Sequence, residues 1–464
     1  MQKGDERLGT APIRSLVVSM ALPAVMAQLI NVLYNIVDRI YIGHISGYGD
    51  LALTGVGVTF PIIMLITAFS AFAGMGGAPL ASIELGKKNY EDAEKILGNS
   101  AGMLVLFSVF LTIGFLVFKV PVLYAFGASD QTIVYADSYI SIYLIGTIFV
   151  QFAVGLNTFI SGQGKAKTAM LSVLIGAVLN ILLDPLFIFG FQMGVRGAAF
   201  ATILSQAVSA AWVVGFLTSS KSVIRLRLRN MRLKVGVIRQ IGSLGISPFI
   251  MQSTESLVSI TLNSGLQRYG GDLYVGTMSI MTSIMQMIVI PMQGIAQGVQ
   301  PIISYNYGAG SRKRVKEAFL WMLVICFIGD FLLAGIAVWK PEFYASVFTN
   351  NKELIALTSQ VMPVYFLGIT IFGLQMSCQS TFLALGQAKV SLFIALLRKV
   401  LLLIPLAIIL PHFMGVMGVY VAEPVADFIS VTTTCILFAV TFQKVLNDLE
   451  KNDTISVDRK ENSI

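Results

Sequence analysis

Long apolar stretches alternate with short clusters of charge or of Gly and Pro along the whole chain. Cutting at those breaks gives twelve stretches, near 14–40, 52–80, 97–118, 133–160, 168–190, 197–219, 240–265, 274–302, 318–339, 355–384, 390–411 and 415–442. A helix that crosses a bilayer needs about 20 mostly apolar residues, so each stretch predicts a spanning helix. None shows the period-two alternation of a barrel strand. The first stretch lacks a cleavage-site pattern and runs straight into the second, which reads as a retained span. Two stretches carry a polar line on one helical face: Gln28, Asn31, Asn35 and Asp38 in the first, and Gln252, Glu255, Ser259 and Asn263 in the seventh. Such a line must face water or protein, because a carboxylate in hydrocarbon costs at least about 2.5 kcal/mol.

Composition narrows the class. Of 464 residues, 56% are apolar and 12% charged, and mean hydropathy is +0.79. A soluble domain carries about 25% charge, so this chain could not cover a water-facing surface. Cys326, Cys378 and Cys435 sit apart in apolar runs, as small packing residues rather than bridges or metal ligands. The fold class is an all-α membrane protein. With the N-terminus in the cytoplasm, the inner loops and both tails hold 24 of the 32 Lys and Arg residues, among them Lys87, Lys88, Arg225, Arg227, Arg229, Arg312, Lys313 and Arg314. This positive-inside bias places both termini in the cytoplasm and accounts for the net charge of +8 without nucleic acid.

The two halves of the chain match. Ile13-Arg14 and Pro23 meet Ile238-Arg239 and Pro248 at an offset of 225, and Gly49-Asp50 meets Gly271-Asp272 at 222. The register of 222 continues through Gly76, Pro79 and Gly86 against Gly298, Pro301 and Gly308, and through Tyr143 and Gly146 against Tyr365 and Gly368. Agreement at Gly and Pro means one backbone path used twice. Six spans per copy is even, so both copies insert the same way, as a parallel internal repeat. The expected organisation is a six-helix lobe over 1–219, a basic cytoplasmic linker over 220–239, a second six-helix lobe over 240–442 and a cytoplasmic tail over 443–464.

Scaffold residues repeat, but acids do not. Asp38 is answered by Asn263, and Asn180 and Asp184 are answered by Val400 and Ile404 ahead of the shared Pro185 and Pro405. A carboxylate needed by the fold would appear in both copies, so these acids serve a task. Asp38 lies five residues before Gly43 and Asp184 six before Gly190, which puts both about 8–9 Å below the outer rim, with Thr202 level with them on the next span. Asp38, Asp184, Asn180 and Thr202 therefore form a candidate cation pocket. Oxygen-only ligands suit Na⁺, and the same carboxyl pair could carry a proton instead. The competing reading is that Asp38 pairs with Arg39 or a lysine to close a helix end. In the second half, Glu255, Glu423 and Asp427 would make a cleft attractive to organic cations, unless they are paired with Arg398 or Lys399. Asp330 stands alone as a possible helix contact. Gln28, Asn31, Tyr34, Asn35, Asn157, Ser259 and Met285 complete the expected cleft lining, with Met278, Met281, Met287 and Met292 offering a flexible apolar side.

Two parallel six-span copies, Asn-x-x-x-Asp-Pro at 180–185 and Asn-x-x-Asp at 35–38, resemble the multidrug and toxic compound extrusion family over about residues 12–442. Glu-Pro-x-x-Asp at 423–427 and Arg-Lys-x-x-x-x-Ile-Pro at 398–405 are similar to its bacterial drug-efflux members. The resemblance implies two six-helix lobes in the bacterial plasma membrane and export of cationic or amphipathic drugs by alternating access, driven by Na⁺ or H⁺. It implies that Asp38, Asp184, Asn180 and Thr202 hold the coupling ion. It also implies that an acid matching Glu255 serves the second lobe in some branches, paired with an acid in span 10. Residues 355–384 contain no Asp or Glu. No cofactor and no partner chain are expected, and the chain reads as a monomer. The rival is a flippase for lipid-linked sugars, which would need several cleft Arg or Lys residues for a pyrophosphate. An enzyme is not expected: His44 and His412 sit at loops, with no nucleophile–base constellation and no Walker lysine after Gly162-Gln-Gly164.

Overall fold

The computed structural model describes residues 6–461, with side chains over 7–449. Lys3, Lys451, Arg459 and Lys460, counted above as inner charges, lie outside the described side chains. Among the described residues every regular element is helical. The spans are α1 (Ile13–Gly43), α2 (Gly49–Gly86), α3 (Tyr90–Ala125), α4 (Ile133–Ile145 with Thr147–Gly162), α5 (Ala166–Gly190) and α6 (Val195–Thr218) in the first half. The second half holds α7 (Val235–Gly270), α8 (Asp272–Gly308), α9 (Arg312–Trp339), α10 (Lys352–Phe366 with Ile369–Ala384), α11 (Ala388–Met414) and α12 (Val416–Leu449). Nine of these are long and apolar enough to cross a bilayer, and the bent pairs α4 and α10 make eleven. The remaining span, α7, is 36 residues long and is more polar along the Gln252–Asn263 face.

The bends are local. α4 turns by 62° and α10 by 40°, at the matched residues Gly146 and Gly368. α5 ends in a π-helical stretch, Leu186–Gly190, directly after Pro185. Proline lacks the N–H that would close the preceding turn, and the wider π turn absorbs the fault. Side chains such as Phe110, Val117, Leu182 and Val440 project outward, as lipid-facing positions should.

By contacts the chain falls into two units: residues 1–7 with 26–253, and residues 8–25 with 254–464. The repeat is visible inside each. Ser82 Oγ donates to the Gly162 carbonyl at 2.9 Å, and Ser304 Oγ donates to the Ala384 carbonyl at 2.9 Å. Asn89 N donates to Glu84 O, and Ser311 N to Asn306 O, both at 2.9 Å. A Cβ on Gly76 would lie 2.5 Å from Ile241 O and 2.8 Å from the Gly245 Cα; a Cβ on Gly298 would lie 2.5 Å from the Ala21 Cα. The matched glycines thus permit the same backbone approach, α2 to the start of α7 and α8 to the start of α1.

The basic stretch 220–239 is held to the first unit by hydrogen bonds. Gln163 Oε1 accepts from Ser222 Oγ at 3.0 Å, Val223 N at 2.8 Å and Ile224 N at 3.3 Å. Asn99 Oδ1 accepts from Lys234 N at 2.7 Å, and Glu94 pairs with Arg227 at 3.1 Å. Gln163→Ala strands buried donors and should cost about 1–3 kcal/mol. A thermal-unfolding midpoint in detergent should fall accordingly; an unchanged midpoint would remove this role.

Candidate functional site

α5 and α6 lie close because Gly176 meets Ser209: a Cβ there would be 2.3 Å from Ser209 Oγ, which itself donates to Ser172 O at 2.9 Å. One turn apart on α5, Asn180 and Asp184 then face α6. Asn180 Nδ2 donates to Asp184 Oδ1 at 3.2 Å and to Thr202 Oγ1 at 3.4 Å. The Asp38 carboxyl of α1 lies close enough to Asp184 for the two to interact electrostatically. The structure brings Asp38, Asp184, Asn180 and Thr202 together, and all four are buried. Ile42, Tyr139, Tyr143, Ile188, Val195 and Ala198 belong to one apolar cluster beside them, which keeps the local dielectric low.

Three oxygens of this group are buried without a hydrogen-bond partner: Asp38 Oδ1, Asp184 Oδ2 and Asn180 Oδ1. Two neighbouring carboxyls with spare oxygens, and a neutral carbonyl and hydroxyl beside them, form an acceptor-rich set that suits Na⁺ or a shared proton. Among the described residues neither acid has an ion-pair partner within 4.0 Å. The Arg39 guanidinium instead lies over the Phe60 ring, 5.5 Å from its centroid. Asp38 and Arg39 thus form no close ion pair, although Arg39 still acts on Asp38 electrostatically.

Two tyrosines also belong here. Tyr34 is in electrostatic contact with Asp38 and Asp184, and Tyr139 with Asp38 and, by a side-chain hydrogen bond, with Thr202. The sequence does not single out Tyr139, because an aromatic residue in an apolar run reads as packing. A usable signal existed: its repeat mate is Val361, the same asymmetry that singles out the acids.

Other expected lining residues stand elsewhere. Asn35 folds its amide back onto Asn31 O at 2.6 Å. Gln28 and Asn31 are half-buried on α1. Asn157 donates to Ala169 O at 3.2 Å and ties α4 to α5, about 22 Å along α5 from Asp184; it does not join the cation group. Met278, Met281 and Met292 are core residues, Met285 packs against that core, and Met287 is exposed.

The second unit holds a charge cluster of its own. Arg398 Nη2 bonds Glu423 Oε1 at 2.9 Å and Arg398 Nε bonds Asp427 Oδ1 at 2.7 Å. Its guanidinium lies 4.4 Å from the Phe372 ring centroid. Lys399 pairs with Glu255, whose side chain remains 55% exposed, close to Ser259, which is also exposed. Of the two readings left open for these acids, an electronegative cleft or pairing with Arg398 and Lys399, the structure shows the pairing: the two adjacent bases on the π-helical stretch Leu397–Leu403 answer three acids and leave one net negative charge.

The MatE family model matches residues 23–186 and again 248–409. The chain is 23% identical over 447 residues to the multidrug export protein MepA of Staphylococcus aureus, covering 96% of each chain. It is 22% identical over 414 residues to MepA of Staphylococcus haemolyticus, covering 88% of this chain and 90% of that one. The fold is similar to a crystal structure of MATE in the bent conformation, with a TM-score of 0.89, 23% identity and coverage of 98% and 100%. It is also similar to an outward-facing multidrug resistance MATE family transporter of the MOP superfamily, with a TM-score of 0.87, 22% identity and coverage of 97% and 99%.

Proposed function

This chain belongs to the MatE family, and we propose that it is a secondary transporter that exports cationic or amphipathic drugs in exchange for Na⁺ or H⁺ by alternating access. The observation that carries the reading is the closeness of Asp38 and Asp184, with their unpartnered oxygens and no ion-pair partner within 4.0 Å among the described residues. Two carboxylates in a dry pocket repel one another, and any cation that enters relieves the repulsion. A coupling cation and a cationic drug are then alternative ways of neutralising one charge. Entry of Na⁺ or H⁺ at Asp38 and Asp184 weakens the hold on drug, and loss of that cation restores it. Linkage makes this reciprocal: whatever factor the cation takes from drug affinity, the drug takes from cation affinity. Tyr34 and Tyr139 can position the carboxyls and offer ring faces to a flat cation. The positive-inside pattern supports a plasma-membrane protein with both termini in the cytoplasm.

A flippase for a lipid pyrophosphate is less well supported. Its anionic head group needs unengaged Arg or Lys, whereas Arg398 and Lys399 are bonded to carboxylates. Proteoliposomes loaded with a dye cation test the choice. Efflux should follow an imposed inward Na⁺ gradient or an imposed inward H⁺ gradient. Dye retention under both gradients, in vesicles that still move a fluorescent lipid between leaflets, would replace the exporter by the flippase.

A further inference from the structure

α9 carries one acid in its interior, Asp330, which is fully buried. It lies nine residues before Trp339 at one end and 18 after Arg312 at the other. At about 1.5 Å per residue that is about 14 Å and 27 Å of helix, deep within a hydrocarbon core of about 30 Å. Both carboxyl oxygens lack a hydrogen-bond partner among the described residues. A carboxylate placed so is neutralised by a proton or held by a cation, because leaving it bare costs far more than a fold can carry.

The fold itself does not require an acid here. At the offset of 222 the matching residue is Ser108, whose hydroxyl donates to Leu104 O at 2.7 Å and is satisfied within its own helix. An ionised carboxyl has no hydrogen to make that bond, whereas the protonated acid has one. One copy of the repeat thus fills this place with a self-satisfied hydroxyl and the other with an orphaned acid.

The surroundings choose the proton over a metal ion. A Cβ on the adjacent Gly329 would lie 2.6 Å from Met292 Cε and 2.7 Å from its Sδ, and Cys326 is one turn back along α9. A Cβ on Gly373 of α10 would lie 2.5 Å from Cys326 O, so the backbones are in close contact. Among the described residues Asp330 belongs to no group of three or more His, Cys, Asp or Glu side chains that could hold a metal ion, and the sulfurs of Met292 and Cys326 do not supply the oxygen shell of a hard cation. Charged groups on α9 itself, Arg312, Lys313, Arg314, Lys316 and Glu317, stand in its first turns, and Cys326 is in electrostatic contact with Asp330. Tyr365 of α10 and Glu423 and Asp427 of α12 belong to the Arg398 cluster, and Cys378 of α10 contacts Cys435 of α12. On α8, Asp272 and Tyr274 stand at one end and Tyr305 and Tyr307 near the other. Glu342 and Tyr344 lie in the short helix after α9, and Lys352 and Glu353 open α10.

We propose that Asp330 is a proton-binding site of the second unit, separate from Asp38 and Asp184. Its use in coupling rests on the reading of the chain as a cation-driven exporter; its titration does not. The test is infrared difference spectroscopy of the reconstituted full-length protein between about pH 5 and about pH 9. In the double variant Asp38→Asn with Asp184→Asn, a carboxylic C=O band should still appear on acidification, with uptake of about one proton attributable to this site. Adding Asp330→Asn should remove that band, and so should Asp330→Ser, which restores the hydroxyl of the other copy. A band that survives both changes, or an acid band at this site that does not change with pH, would overturn the proposal. Dye efflux that responds to neither gradient while the band titrates would leave the site intact and refute the exporter reading alone.

Discussion

Asp184→Asn should all but abolish gradient-driven efflux while the protein still folds. Asn at this position keeps a carbonyl oxygen that can accept from Asn180 Nδ2, as Asp184 Oδ1 does at 3.2 Å, so the α5–α6 packing survives. What goes is the charge. A cation about 4 Å from a carboxylate gains about 4 kcal/mol at an effective dielectric near 20, which is a factor of about a thousand in affinity. Some of this returns because the remaining Asp38 no longer faces a second negative charge, so a loss of about a hundredfold is a conservative expectation. Asp38→Asn should behave alike, and the double variant little worse than either, because the two acids act as one group. Initial rates in proteoliposomes, with expression and thermal midpoint as controls, measure this. Near-normal efflux in either single variant would end the coupling role of the pair.

Arg398→Met should be the most destabilising single change in the second unit. It leaves Glu423 and Asp427 buried and unanswered, and breaking a buried pair from one side costs about 3–5 kcal/mol. Poor accumulation and a lowered unfolding midpoint in detergent are the expected signs. Combining it with Glu423→Gln and Asp427→Asn should recover much of the loss, since the stranded charges are then gone. Lys399→Met should cost less, because Glu255 keeps 55% of its side chain exposed, so losing Lys399 does not strand a carboxylate enclosed by protein as losing Arg398 does. Equal stability of Arg398→Met and the parent chain would show that the cluster is not structural.

How far the chain's letters reach depends on whether the feature is local. The spans are legible because apolar length is local information, and α4 and α10 break at Gly146 and Gly368, a pair the repeat already aligns. The juxtaposition of Asp38, Asn180, Asp184 and Thr202 follows from counting residues to helix ends, since rise per residue is fixed. Pairing is not local. Three acids and two adjacent bases in the second half fit either an open negative cleft or a closed cluster, and rotation of α11 about its axis, set by packing, decides for the cluster. Asn157 shows the same limit: a polar residue in a span must be satisfied, but its sequence does not say that Ala169 O is the partner of its amide nitrogen. Tyr139 hides because its hydroxyl, not its ring, meets Thr202.

The most direct measurement is equilibrium binding of a fluorescent dye cation to the purified protein as Na⁺ is raised at fixed pH and as pH is lowered at fixed Na⁺. The dye Kd should rise with one of these cations, and that dependence should vanish in the Asp38→Asn, Asp184→Asn double variant. A dye Kd indifferent to both cations in the parent protein would mean that drug and coupling ion do not share these carboxylates.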